Sequence, residues 1–188
     1  MEPMDPRHLL AGIGKILNRL KIPYFVTGGM AVLIWGRPRF TADIDIVIQL
    51  KYENIYKLRN ALLDFRKRGY LDDYAMKEAI INKGEFNFID IENGVKVDFW
   101  ILKESDSVAF EQLKRKKAKK ILNEEIYFIS PDDLILNKLV WYKKRGGSSR
   151  HIEDVESIFK VSGSKLDKNY LKKQAAKLEV SGLLKKFL

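Results

Sequence analysis

"YFVTGGMAVLIWGRPRFTADIDIVIQL", residues 24–50, reads as a strand, a glycine pair, a helix, a loop and a second strand. Tyr24 to Thr27 is a short apolar run that suits a buried strand. Gly28-Gly29 follow, and MAVLIW reads as a helix packed on a sheet. Gly36 ends that helix and Pro38 starts a loop. From Asp43 to Leu50 the chain alternates, with Ile44, Ile46 and Ile48 on one face of a strand and Asp43 and Asp45 on the other. Both carboxylates ionise near neutral pH, and like charges this close oppose each other. Either water offsets that repulsion on an open face, or a cation does so in a site.

Working outward, residues 5–20 (DPRHLLAGIGKILNRL) space Leu9, Leu10, Ile13, Ile16, Leu17 and Leu20 as an amphipathic helix ended by Pro23. Residues 51–70 (KYENIYKLRNALLDFRKRGY) space Ile55, Leu58, Leu62 and Phe65 as another. In residues 84–102 (GEFNFIDIENGVKVDFWIL), Asn93-Gly94 between two apolar runs signals a hairpin, pairing Glu85–Ile91 with Val95–Leu102. Val95, Val97, Phe99 and Ile101 share one face of the second strand. Asp98 lies on the other, beside Lys96 and Trp100. Strands deplete aspartate, so a third carboxylate in a strand centre again asks for a reason.

Beyond Lys103 the text changes. Residues 109–122 (AFEQLKRKKAKKIL) read as a very basic helix, and residues 126–130 (IYFIS) as a short strand. SPDDLILNKLVWYKK carries a helix start: Ser130 as N-cap, Pro131 at the first position, Asp132 and Asp133 in the first turn. Residues 150–161 and 166–178 keep a helical period. The chain therefore divides into an α/β (α+β) part, residues 1–129, and a helical part, residues 130–188, expected to form the second wall of a cleft.

The 188 residues are 46% hydrophobic, enough for a packed core. There is no cysteine, which excludes disulfides and thiolate zinc sites. MEPMDPRHLL lacks a signal pattern, and no apolar run approaches the ~20 residues that span a bilayer. The expectation is a soluble, cytoplasmic protein with no membrane partner. A formal charge of +10 favours nucleotides, RNA, DNA or an acidic protein as partner, or serves solubility.

The order strand, Gly-Gly, helix, loop with Arg39 and Thr41, Asp-Ile-Asp on a strand, then a lone Asp on a later strand resembles the nucleotidyltransferase superfamily of polymerase β, the CCA-adding enzymes and the aminoglycoside nucleotidyltransferases. GG-x-A-(x)4-G-(x)2-R-x-T-x-D-I-D is similar to its AbiEii-like, toxin-associated minimal branch. SPDDLILNKL and SRHIEDVESIFKVSG resemble that branch's Lys-bearing helix and the helix after it. The superfamily often has Gly-Ser where this chain has Gly28-Gly29, and the branch often has Lys-Asp where it has Glu153-Asp154.

The resemblance implies a nucleotidyltransferase fold, with a mixed β-sheet flanked by helices and a C-terminal helical part. It also implies Mg²⁺-dependent, ATP-type NTP chemistry at a two-metal site held by Asp43, Asp45 and Asp98, with Asp98 helping to deprotonate an acceptor hydroxyl. Phosphoryl transfer needs charge neutralisation and positioning more than covalent help. Mg²⁺ takes carboxylate oxygens and keeps several waters. Gly28 and Gly29 at a helix start, with Arg39, Thr41 and Lys138, are the expected nucleotide-binding residues. The favoured acceptor is RNA or tRNA. The alternatives are an aminoglycoside-type small molecule, or a non-catalytic antitoxin-like or nucleic-acid-binding module of the same fold.

Each feature also has a plainer reading. Asp43 and Asp45 form a solvated strand face, Gly28-Gly29 a turn, and Asp98 a hairpin-edge charge. Lys138, one helical turn after Leu134, either snorkels or reaches phosphate. Asp154 reads as a surface charge, and the run Lys114–Lys120 as a solvated helix face.

Overall fold

The alternating strand and the hairpin meet at the centre of one sheet. The computed structural model describes residues 5–103, 105–144 and 146–188. The reading of MEPM as free of a signal pattern lies outside the described residues. The chain divides into two compact units: Met1–Met30 with Thr41–Phe128, and Ala31–Phe40 with Ile129–Leu188.

The first unit holds a seven-stranded sheet: β1 (Tyr24–Thr27), β2 (Asp43–Ile48), β3 (Gly69–Leu71), β4 (Glu85–Asp90), β5 (Val95–Ile101), β6 (Lys117–Ile121) and β7 (Glu124–Phe128). Their spatial order is β3-β4-β5-β2-β1-β7-β6. β2 runs parallel to β5, and β1 parallel to β7; every other pairing is antiparallel. The sheet is therefore mixed, and β5 is an inner strand. Ile44, Ile46, Ile48, Val97 and Phe99 are buried on one face, where Phe86 stacks on Phe99 with ring centroids 4.9 Å apart.

Helices α1 (Pro6–Arg19), α3 (Ile55–Phe65) and α4 (Asp73–Asn82) pack against the sheet and in sequence against one another. Asp5 caps α1 through the Arg7 N–H, and Asp72 caps α4 through those of Tyr74 and Ala75. α2 (Gly28–Trp35) starts in the first unit, and its later residues belong to the second.

Two readings need correction. The helix expected over residues 51–70 stops at Phe65, because the chain turns into β3 as an edge partner of β4. The basic run is not one helix: α5 (Ser107–Arg115) ends before Lys116, and Lys117–Ile121 is the edge strand β6. β6 forms because Leu122 and Asn123 both take positive φ, 46° and 69°, and return the chain onto β7 as a tight hairpin.

The second unit is helical: α6 (Pro131–Lys144), α7 (Ser149–Ser162), α8 (Lys168–Lys177) and α9 (Ser181–Leu184). Ser130 and Asp133 cap α6 reciprocally. The Asp133 N–H donates to Ser130 Oγ at 3.1 Å, and that hydroxyl donates to Asp133 Oδ2 at 2.6 Å. Tyr170 of α8 donates to the same carboxylate at 2.7 Å, fixing α8 on the start of α6. No helix among the described residues is long and apolar enough to cross a membrane.

Candidate functional site

Strand register decides which carboxylates meet. Across the parallel pair β2–β5, Asp45 stands directly opposite Asp98, and Asp43 opposite Lys96. Opposed residues share a face, so Asp43, Asp45, Lys96 and Asp98 all project from the face opposite the isoleucines. Thr27, opposite Asp45 on β1, joins them. Asp98 is thus central rather than at a hairpin edge, and it is buried. Asp43 and Asp45 are half-buried.

Lys96 stands among these acids. Its Nζ lies 2.9 Å from Asp98 Oδ2, with 41% of the Lys96 side chain and 11% of the Asp98 side chain exposed. The hydrogen bond to Asp98 holds the ammonium above its usual pKa, and the fields of Asp43 and Glu85 act in the same direction. The other Asp98 oxygen, Oδ1, is buried and makes no hydrogen bond. Among the described residues, no three carboxylates or imidazoles stand close enough together to hold a metal ion. The three aspartates share a face, but Asp43 and Asp45 are one strand repeat apart, and the Lys96 ammonium sits on Asp98.

The glycine pair has a steric reason here. Gly28 has φ +60°, and a Cβ on it would collide with the Asp45 carboxylate; one on Gly29 would collide with Thr41 Oγ1. The chain end of β1 and the start of α2 therefore pass directly against the carboxylate strand. Thr41 in turn donates from Oγ1 to the Asp43 carbonyl at 3.3 Å, fixing the loop that leads into β2.

Arg39 and Lys138 are brought together in the second unit, on Asp154. Arg39 donates from Nε to Asp154 Oδ1 at 2.6 Å and from Nη2 to Oδ2 at 2.9 Å, a bidentate pair. Lys138 Nζ lies 2.8 Å from Asp154 Oδ2. The Asp154 side chain is 2% exposed and that of Lys138 9%. Burial pushes the Asp154 carboxyl up, but the hydrogen bonds from Arg39 and Lys138 outweigh this and hold it below the usual carboxylate range. The sequence reading of Asp154 as a surface charge is therefore corrected: α7 turns it inward to two cations. The 36–40 loop is fastened to α7 as well, through Arg37 N–H to Ser157 Oγ at 2.5 Å and Arg150 Nη2 to the Phe40 carbonyl at 3.0 Å.

Sequence reasoning placed Lys96 beside Asp98 but gave it no role; its i, i+2 spacing from Asp98 was the available signal. The Arg39–Asp154 pair spans 115 residues, and no local pattern announces it.

No protein-family model matches the chain, and no curated protein matches it in sequence. Solved structures do match in fold. The antibiotic-resistance factor ANT(2'')-Ia is similar at 13% identity and a TM-score of 0.58, over 96% of this chain and 94% of that one. An antigenic nucleotidyltransferase-like protein from Paracoccidioides brasiliensis is similar at 17% identity and a TM-score of 0.56, over 81% and 74%. The lincomycin-bound lincosamide antibiotic adenylyltransferase LnuA is similar at 16% identity and 0.56, over 84% and 98%. The chain has the nucleotidyltransferase fold.

Proposed function

We propose that this protein transfers a nucleoside monophosphate from an NTP to an acceptor hydroxyl, with RNA or tRNA favoured as acceptor. One observation carries the reading. Three carboxylates, with Lys96 among them, share the open face of the central strand pair β2–β5, and a glycine turn passes against one of them. A strand face this acidic is costly unless a cation completes it.

The donor type suits a hard divalent cation, since all three are carboxylates and Asp98 Oδ1 is a buried acceptor with no hydrogen bond, but the three stand too far apart as they are and would have to draw together around it. Asp43, Asp45 and Asp98 would hold Mg²⁺, which when bound neutralises charge on the triphosphate and orients it. Lys96 would then release Asp98 Oδ2. Backbone N–H groups at the Gly28-Gly29 start of α2 suit the triphosphate, with Thr41 beside them. Asp98 accepts the proton of the acceptor hydroxyl, whose oxygen forms a bond to the α-phosphorus. The bond from that phosphorus to the bridging oxygen breaks, and pyrophosphate leaves. Arg39 and Lys138 were expected on phosphate. Their engagement with Asp154 favours a supporting role for both in the bound state, unless a nucleotide competes for them.

A second reading has its own support. ANT(2'')-Ia is an antibiotic-resistance factor and LnuA a lincosamide antibiotic adenylyltransferase, and their likeness covers 94% and 98% of those chains, so an aminoglycoside-type small acceptor is the alternative. Incubation with each α-labelled NTP, Mg²⁺ and, separately, RNA, tRNA, aminoglycosides and lincosamides decides between them. Label on RNA supports the first reading and label on an antibiotic the second. Label on neither, with NTP bound, leaves the non-catalytic binding module.

A further inference from the structure

The open face of the sheet carries more than its acids. Strand register lines up its residues in rows across β3, β4, β5 and β2. One row runs Tyr70, Ile89, Lys96, Asp43, each directly opposite the next. Opposed residues share a face, so all four stand on the side of the sheet that bears the carboxylates. The next row runs Asn87, Asp98, Asp45, Thr27 and passes through the other two aspartates. A third runs Glu85, Trp100, Val47, Phe25.

The two ends of this face differ. At the β1 end it is covered: Phe25 is fully buried, and the chain turns at Gly28 directly against the Asp45 carboxylate. At the β4 and β3 end it is bare: Glu85 and Asn87 are exposed, Ile89 and Trp100 half-buried, and Tyr70 is 53% exposed. The charges of the bare end are also sorted. The first row holds a cation, Lys96, and the third holds an acid, Glu85. An ammonium has three N–H groups, of which Asp98 takes one, and 41% of the Lys96 side chain is exposed.

We propose that the row Tyr70, Ile89, Lys96 seats the single-stranded end of an RNA acceptor. A base stacks on Tyr70, Ile89 supports the next residue, Lys96 meets a phosphate, and the terminal hydroxyl lies at the carboxylates. An exposed aromatic ring on a sheet face, with a cation beside it, is an arrangement that holds single-stranded RNA. The occupant follows from continuity with the carboxylate site, since the row ends on Asp43 itself. Tyr70 and Asp43 are three strand spacings apart, about 14 Å, which takes about four nucleotides stacked at ~3.4 Å and fewer if extended. The opposite end of the face is where the Gly28-Gly29 turn suits the triphosphate, so the bare end is left for the acceptor. A lone exposed tyrosine needs no explanation, but that reading does not account for its place in this row. The assignment deepens the reading of RNA as the acceptor and rests on it.

The test is fluorescence anisotropy of a short single-stranded RNA, labelled at its 5′ end and titrated with the full chain at several salt concentrations without NTP. Tyr70→Ala weakens binding about five- to a hundredfold, the loss of one base stack, and Tyr70→Phe stays within about twofold of the parent. Lys96→Gln weakens it as well and lowers the salt slope by about 0.7, one single-strand phosphate. Tyr74→Ala is the control: that ring is 72% exposed but stands on α4 and not on the sheet, so affinity stays within about twofold. Equal affinity in Tyr70→Ala and the parent overturns the assignment. So does an equal loss in Tyr74→Ala, tighter binding of duplex than of single-stranded RNA, or no RNA binding by the parent. Label transferred to RNA by a parent and a Tyr70→Ala variant of equal RNA affinity keeps the catalytic reading and removes this platform. Tyr70-dependent RNA binding with no transfer from any NTP removes the catalytic reading and keeps the platform.

Discussion

Two clusters of charge in this molecule are built in opposite proportions. On the sheet, three carboxylates lie on a half-open face, with the Lys96 ammonium on Asp98. In the helical unit, one carboxylate, Asp154, lies between two cations and is sealed from water. The second cluster is saturated: every Asp154 oxygen has a charged donor, so it has nothing left to offer a ligand. The first keeps a buried oxygen, Asp98 Oδ1, without a hydrogen bond. Under the proposed function, an acceptor that folding leaves unbonded is a place for a ligand, whereas charge that folding has closed on itself is a brace.

The brace carries the largest expected effect. Asp154→Ala leaves Arg39 and Lys138 facing each other without their shared anion, and breaking a buried pair in this way costs about 3–5 kcal/mol. For a chain of this size that lowers Tm by about 6–20 °C in a thermal melt. The acid dependence has a definite sign. The folded Asp154 pKa lies below its unfolded value of about 3.9, so its contribution is complete above about pH 5 and disappears as pH falls through the folded pKa. The Tm advantage of the parent over Asp154→Asn should hold constant from pH 7 to 5 and shrink below about pH 4. A Tm of Asp154→Ala equal to the parent would dissolve the contrast and return Arg39 and Lys138 to the phosphate role.

On the open face the expectation is reversed: chemistry suffers and stability does not. Asp45→Asn should lower nucleotide transfer about 10²–10³-fold, the scale of losing one preorganised electrostatic contact. Its Tm should stay level or rise slightly, because a like-charge repulsion is relieved. A clear drop in Tm would make Asp45 a brace as well.

The sequence displayed the open face far better than the brace. Asp43 and Asp45 announced themselves by alternating with isoleucines, Asp98 by its place in a strand, and Gly28-Gly29 by preceding a helix. All of these are local patterns. That Asp45 would stand opposite Asp98 depended only on β2 pairing with β5, which the family resemblance implied. Asp154 offered no such pattern, since its partners lie on a loop and another helix. β6 was hidden for a different reason. Lysine and alanine favour helix, and the Leu122-Asn123 turn lacks the glycine that made Asn93-Gly94 readable. α4, which no sequence expectation covers, sits over Asp73–Asn82 on an Asp72 cap.

Gly28→Ala probes how closely the backbone approaches the open face. At φ +60°, with the Asp45 carboxylate where a Cβ would go, the variant must shift the strand, the turn or both. A cost of about 1–3 kcal/mol is expected, visible as a lower urea midpoint. Gly94→Ala has a similar φ of +65° but open space around it, and so serves as the control for backbone strain alone. Equal losses in the two variants would mean that the crowding against Asp45 carries no energy.

The smallest effect tests the contrast most directly. Lys96 is 41% exposed, so its ion pair with Asp98 is screened, and Lys96→Met should cost at most about 1 kcal/mol. The substitution removes the ammonium that meets Asp98 and the field it adds near Asp43. If Lys96 holds the place of a metal ion, Mg²⁺ no longer has to displace an ammonium to reach Asp98 Oδ2, and its apparent Kd should fall. A ligand that binds the folded state alone raises stability by RT ln(1 + [L]/Kd). Added Mg²⁺ should therefore raise the Tm of Lys96→Met by more than that of the parent, with Ca²⁺ acting in the same direction and Na⁺ at equal ionic strength not at all. Equal shifts in both proteins would show that Lys96 and the divalent ion do not compete. The open face would then be a solvated acidic surface, differing from the Asp154 brace in exposure and not in purpose.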